Sequence, residues 1–189
     1  MGIMIETVSD RRSGNMNWEF TVLDAISSIH THWLDSFFQT ITHLGGAGWF
    51  WIFRALILLI FQKTRLCGIC MLVSMLVGAL ITNAGLKPLV ARERPCWIRD
   101  PVQLLIDMPK DYSFPSGHTQ VSFVSAMAIF QNNRKWGIAA FVLASLIAFS
   151  RLYLYVHFPT DVLAGIVIGM AVGRIMSCMV RKKYKIKRV

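Results

Sequence analysis

The chain is a series of apolar runs separated by short polar breaks. Cys67 to Leu86, "CGICMLVSMLVGALITNAGL", carries no charge over the ~20 residues a helix needs to cross bilayer hydrocarbon. Four further runs, roughly Gly48 to Gln62, Ser116 to Gln131, Trp136 to Val156 and Asp161 to Val180, predict additional spans. Each is expected to be helical, because lipid offers backbone N–H and C=O groups no other partner. The stretch "NWEFTVLDAISSIHTHWLDSFFQTITHLGG" instead mixes apolar positions with Glu19, Asp24, His30, His32 and Asp35. It predicts two amphipathic helices that either lie along the interface or combine into a sixth crossing. The expected fold class is therefore an all-α polytopic membrane helical bundle with five or six transmembrane helices and amphipathic N-terminal helices.

Composition agrees with that class. Hydrophobic residues make up 54% of the 189 positions and charged residues 16%, and the mean hydropathy is +0.50, outside the usual range of a soluble domain. One membrane domain over residues 18–180 is the simplest division, with a flexible leader at 1–17 and a basic tail at 181–189. The leader lacks the continuous apolar stretch of a cleavable signal, and Met-Gly is not followed by the Ser or Thr of a myristoylation site.

Charge then orients the bundle. If five spans alternate, the tail "RKKYKIKRV" and the turns holding Lys63, Arg65, Arg134 and Lys135 share one side, which the positive-inside rule makes cytoplasmic. The tail is expected to touch acidic lipid head groups of the cell membrane. The opposite, external side receives Lys87, Arg92, Arg94, Arg99, Lys110 and Arg151, a cationic load that calls for an anionic partner. Nucleic acid is excluded as that partner, because the basic residues are divided between the two faces and form no single stripe.

Candidate chemistry lies on the external side. In "DYSFPSGHTQ", Pro115 and Ser116 read as a helix start with Ser116 as N-cap, leaving unpaired backbone N–H groups that attract anions. Gly117 permits close approach of a phosphate oxygen, and His118 in the first turn can supply a proton. Alone, this stretch fits a capped helix with an interfacial histidine equally well. "KPLVARERP" puts Lys87 and Arg94 at the outer end of the longest span, and "SRLYLYVHFPTD" puts Arg151, His157 and Asp161 at another. Pro159 favours a first helical turn, leaving Asp161 near the start of the last span. Taken singly, His157 and Asp161 also fit an interfacial histidine and a carboxylate balancing a helix dipole.

The order K-x6-RP (Lys87, Arg94, Pro95), PSGH (Pro115 to His118) and SR-x5-H-x3-D (Ser150, Arg151, His157, Asp161) resembles the type 2 phosphatidic acid phosphatases, the PAP2 family. The resemblance implies a helical bundle that gathers the three motifs into one pocket, and a metal-independent lipid phosphatase that uses a phosphohistidine and no cofactor. It implies His157 as nucleophile, Asp161 as the residue that orients its imidazole, and His118 as the acid that protonates the departing oxygen and later activates water. Lys87, Arg94, Ser116, Gly117 and Arg151 would form the phosphate cradle. Because acid and nucleophile need opposite protonation states, a bell-shaped pH profile is expected.

The partner implied is an amphiphilic lipid phosphate or diphosphate, with undecaprenyl diphosphate preferred and phosphatidylglycerophosphate or phosphatidate as alternatives. A lipid phosphotransferase, or a non-catalytic phospholipid-binding or transport protein, would use the same pocket differently. Among the remaining residues, Arg54 within "WFWIFRALILLI" is expected to pair with Asp24 or Asp35. Arg92, Glu93 and Arg99 either contact a head group or form an exposed charged loop. Cys67, Cys70 and Cys178 read as packing residues and Cys96 as external without a partner, so neither a disulfide framework nor a zinc site is expected.

Overall fold

A computed structural model of the chain describes residues 17–99 and 104–186. The expected leader, apart from Asn17, and the last three residues of the expected tail lie outside the described residues. Every regular element among the described residues is helical. Helix α1 covers residues 17–27, α2 His32–Gly45, α3 Trp49–Ile60 and α4 Arg65–Ala79. A π-helical segment, Leu80–Leu86, carries α4 on into α5, Lys87–Val90, and α6 is a single turn at Pro95–Ile98. The remaining helices are α7, Gly117–Asn132, α8, Arg134–Tyr153, and α9, Pro159–Ile186.

Three helical stretches, Arg65–Ile98, Arg134–Tyr153 and Pro159–Tyr184, are long and apolar enough to cross a membrane. The pair α2 and α3, bent by 51° around Gly46–Gly48, would make a fourth. That pair joins α2 to α3, whereas the sequence pattern left the two N-terminal helices either along the interface or combined in a crossing of their own. The last helix runs on through the start of the basic tail to Ile186.

Helix α7 sits at the centre, packed chiefly against α9 and α8 and also against α4. This position explains its modest hydropathy. Its Thr119, Gln120, Ser122 and Ser125 are buried between helices and face no lipid, where polar side chains can bond across the interface. Trp51 Nε1, for example, donates to Ser122 Oγ at 3.1 Å. Helix α9 shows the opposite distribution, exposing Leu163, Val167, Ile175 and Met179 along its outer face.

The two helices meet through glycines at i, i+4 spacing. A Cβ on Gly165, Gly169 or Gly173 would lie 2.8, 2.7 or 2.8 Å from the carbonyl oxygens of Ser116, Gln120 and Val124 respectively. Backbone cannot yield as a flexible side chain does, so the stripe sets the α7–α9 distance. It therefore also sets the separation of the segments at the end where Ser116 N donates to Asp161 O at 3.1 Å.

The expected pairing of Arg54 with Asp24 or Asp35 is not found. Asp24 accepts from Arg99 Nη1 and Tyr155 Oη, both at 2.7 Å, and Asp35 accepts from Tyr153 Oη at 2.6 Å. Arg54 lies over the Trp136 ring, 5.9 Å from its centroid. Trp136 and Tyr153 stand at opposite ends of α8, about 25 Å apart at 1.5 Å per residue, so Arg54 and the carboxylates belong to different ends of the bundle. All four cysteines are free.

Replacing Gly169 by valine should force α9 away from the α7 backbone and lower stability by about 1–3 kcal/mol, the usual cost of overpacking. Thermal unfolding in detergent checks this, with Leu163→Val on the outer face of α9 as a control expected to stay near wild type.

Candidate active site

Four chain segments converge at one end of the bundle. They are the end of the long helix at Lys87 with the irregular stretch through Arg94, the loop ending at Ser116, the last turn of α8 at Arg151, and the link from Leu154 to the start of α9. Lys87, Arg94, Asp111, Gly117, His118, Arg151 and His157 all line one cavity of about 430 Å³. Thus six of the eight residues singled out from sequence share this cavity. Asp161 lies behind His157 with no solvent contact. Ser116 is also buried, and its Oγ lies 2.9 Å from Thr119 Oγ1. As N-cap of α7 it makes no side-chain capping bond, so its part in the site comes from the helix start it occupies.

The environment of His157 fixes its tautomer. Arg94 Nη1 lies 3.1 Å from Nε2, and a guanidinium can only donate. Nε2 therefore carries the lone pair, and the proton of the neutral ring sits on Nδ1. That nitrogen faces Ser113 Oγ at 3.4 Å and Asp161 Oδ2 at 3.6 Å. Ser113 Oγ itself donates to Asp161 Oδ2, so the serine bridges the expected His–Asp contact. Burial pushes the His157 pKa well below the ordinary imidazole value, and the charges of Arg94, Arg151 and Lys87 push it further down. The ring is neutral at pH 7, with its Nε2 lone pair accepting from Arg94 at the edge of a cationic cavity.

The cations are held by different means. Arg94, nearly inaccessible to solvent, donates through Nη1 to Val156 O at 2.7 Å and through Nε to Asp111 O at 2.7 Å. Arg151 donates through Nη1 to Thr42 Oγ1 on α2, while its buried Nε has no hydrogen-bond partner among the described residues. Lys87 pairs with the Asp111 carboxylate, which also accepts from Arg94 Nη2 at 2.8 Å. Burial raises the Asp111 pKa, but the Lys87 hydrogen bond and the charges of Arg94 and Lys87 outweigh it and bring the group down to about 2. A carboxylate thus bridges two cations suited to phosphate. At the start of α7, a Cβ on Gly117 would point between Asn83 Oδ1 and Lys87 Nζ, 3.7 and 3.9 Å away. The glycine leaves that approach to the first N–H groups open, and those groups have no intrahelical acceptor.

Sequence reasoning did not single out Ser113, Asp111, Glu19 or Thr160. Arg92 was expected at a head group or in an exposed loop. Instead it donates through Nη1 to Asp161 Oδ1 and Thr160 Oγ1, both at 2.7 Å, and pairs with Glu19. The available signals were the serine two residues before Pro115 and the first arginine of "RERP".

Comparison with known proteins shows the family and the fold. The model of the PAP2 superfamily matches residues 67–185. The undecaprenyl-diphosphatase of Sulfolobus acidocaldarius is 33% identical over 145 residues, covering 76% of this chain and 69% of that protein. The undecaprenyl-diphosphatase BcrC of Bacillus subtilis is 30% identical over 163 residues, covering 84% of this chain and 81% of that protein. The crystal structure of a transmembrane PAP2 type phosphatidylglycerolphosphate phosphatase from Bacillus subtilis superposes with a TM-score of 0.73 at 28% identity, covering 89% of this chain and 87% of that one.

The Asp111 pKa has a consequence for stability. A carboxylate whose folded pKa lies below its unfolded value stabilises the fold above the unfolded pKa and loses that contribution as pH falls through the folded one. For Asp111 the window runs from 3.8 down to about 2. In thermal unfolding across that window, Asp111→Asn should show a smaller acid-side drop in Tm than wild type.

Proposed function

The chain belongs to the PAP2 superfamily and is a membrane lipid phosphatase, and from that premise we propose that it works through a phosphohistidine on His157. The observation that carries this reading is the Nε2 lone pair of a neutral, buried imidazole facing the cationic cavity beside Arg94. In the first step Nε2 attacks phosphorus, the bond from phosphorus to the leaving oxygen breaks, and His118 gives that oxygen a proton. In the second, water attacks the phosphohistidine, His118 takes the water proton, and the P–N bond breaks to release inorganic phosphate and restore His157. Lys87, Arg94, Arg151 and the N–H groups at Gly117 neutralise charge on the equatorial oxygens, which is most of what phosphoryl transfer requires. No step calls for a metal.

The substrate favoured is undecaprenyl diphosphate, converted to undecaprenyl phosphate and phosphate. Relatives bearing that activity in their names support this choice, with phosphatidylglycerophosphate as the runner-up through the structural neighbour. Counting the α2–α3 pair as one crossing and the buried α7 as another, with α4, α8 and α9, gives five spans. Residues 18–180 act as one domain. The turns near Lys63 and Arg134 and the basic end of α9 then lie on the cytoplasmic side of the cell membrane, and the cavity opens externally.

Phosphate release by purified protein in detergent, with a chelator present, tests the mechanism and ranks the three lipids by kcat/KM. Wild type should release phosphate and His157→Ala should not, while His118→Ala should lose on the order of 10²- to 10⁴-fold in kcat. Equal release by His157→Ala overturns the nucleophile, and dependence on added metal overturns metal-free hydrolysis.

The kcat–pH profile should be bell-shaped. In the substrate complex the anionic phosphoryl group offsets the Arg151, Arg94 and Lys87 charges around His118. There the acid limb marks protonation of His157, which removes its lone pair, and the basic limb marks loss of the proton His118 must donate. Acid quench with radiolabelled substrate should trap an acid-labile phosphoprotein in wild type only.

A further inference from the structure

Asp161 Oδ1 points away from His157 towards Arg92, and Arg92 is itself stretched between two carboxylates. Its Nη1 donates to Asp161 Oδ1 and Thr160 Oγ1, both at 2.7 Å, and its Nη2 pairs with Glu19. Glu19 Oε1 in turn accepts from Thr160 Oγ1 at 2.6 Å and Thr160 N at 3.3 Å. The guanidinium lies 4.0 Å over the Phe158 ring, which holds its plane. Glu19 is 4% exposed although it belongs to α1, a helix with many exposed positions. A carboxylate buried this deeply at a surface helix calls for a specific partner.

Two consequences follow from the chemistry of the cluster. By holding Oδ1, Arg92 fixes the rotation of the Asp161 carboxylate so that Oδ2 remains on the side of Ser113, Phe158 N and His157 Nδ1. A full, unshared Arg92 charge against the Asp161 carboxylate would also weaken its support for the imidazolium character that His157 acquires on attack. Glu19 takes up part of that charge. We propose that Arg92 and Glu19 are positioning residues for the Asp161–His157 pair, with Glu19 making α1 a working part of the catalytic centre. This rests on the reading of His157 as nucleophile given above.

Charge predicts opposite effects for the two residues. The groups facing His157 are Arg94, Arg151, Lys87, Asp111, His118 and Asp161, and all of them remain in both variants. Removing the Arg92 cation favours protonation of His157 and should move the acid limb of the kcat profile to higher pH. Removing the Glu19 carboxylate should move it to lower pH. Arg92→Lys keeps the charge but loses the planar fork, so it should leave the limb near wild type while lowering kcat.

The experiment is the pH dependence of kcat for the full-length protein in detergent, with the best of the three lipids at saturation. Wild type is compared with Glu19→Gln, Arg92→Gln, Arg92→Lys and His157→Ala. The limb position does not depend on what fraction of a variant is folded, and Glu19→Gln provides the test if Arg92→Gln does not fold. Expected are a kcat loss on the order of 10²-fold in Arg92→Gln, a smaller loss in Glu19→Gln, and limbs displaced in opposite directions. Limbs coinciding with wild type, or displaced in the same direction, overturn the proposal even if Tm falls, because a merely structural role lowers Tm and leaves the limb in place. Full activity in His157→Ala removes the nucleophile itself and the proposal with it, an outcome distinct from coinciding limbs with an inactive His157→Ala.

Discussion

Asp161 is a carboxylate with no access to solvent, and the site is arranged around it. Its oxygens accept from Arg92, Ser113 and the backbone N–H of Phe158, while its own carbonyl accepts from Ser116 N. These bonds tie together the stretch after α5, the loop before α7, the link after α8 and the first turn of α9. An ionised group in such a place is tolerable only when its acceptor capacity is used. The same contacts that make burial tolerable also bring the PSGH helix start to His157, so the burial of one charge assembles the pocket.

The rest of the site is a problem of surplus positive charge. Lys87, Arg94 and Arg151 are gathered with little solvent around them, and like charges at close range raise one another's cost. Asp111 offsets part of it by bridging Lys87 and Arg94. The remaining surplus falls at Arg151, whose Nε has no acceptor among the described residues, and at the N–H groups that open α7. An anion with several oxygens answers all of these at once, which is why the cavity suits a phosphoryl group better than a single carboxylate.

Packing carries this arrangement through the bilayer. The glycines of α9 bring it against the carbonyls of α7, and α7 in turn contacts α8 and α4, so the central helix is enclosed by neighbours. A helix in that position can carry serine, threonine and glutamine, because its surroundings are other helices and not lipid. At the end that holds the cavity, tyrosines close the structure. Tyr153 and Tyr155 donate to Asp35 and Asp24, fastening α2 and α1 over the link that bears His157.

The sequence by itself determined the membrane class, the ordered motifs and most of the cavity. Uncharged runs of span length have few alternatives to a helix in lipid, and Lys87, Arg94, Gly117, His118, Arg151 and His157 were legible because their residue types sit at helix ends where an anion would be met. The contribution of Glu19 was illegible, since its partners Arg92 and Thr160 lie far away in the chain and a glutamate on an amphipathic helix ordinarily faces water. Ser113 was equally hidden, because a loop serine becomes a bridge only when α9 presents Asp161 beside it. Arg54 misled for a related reason, as hydropathy identifies a costly charge without saying at which end of the bundle its partner stands. Only the tertiary structure decided those pairings, because they depend on which faces the close α7–α9 contact turns towards one another, and that contact is made in space between segments the chain keeps apart.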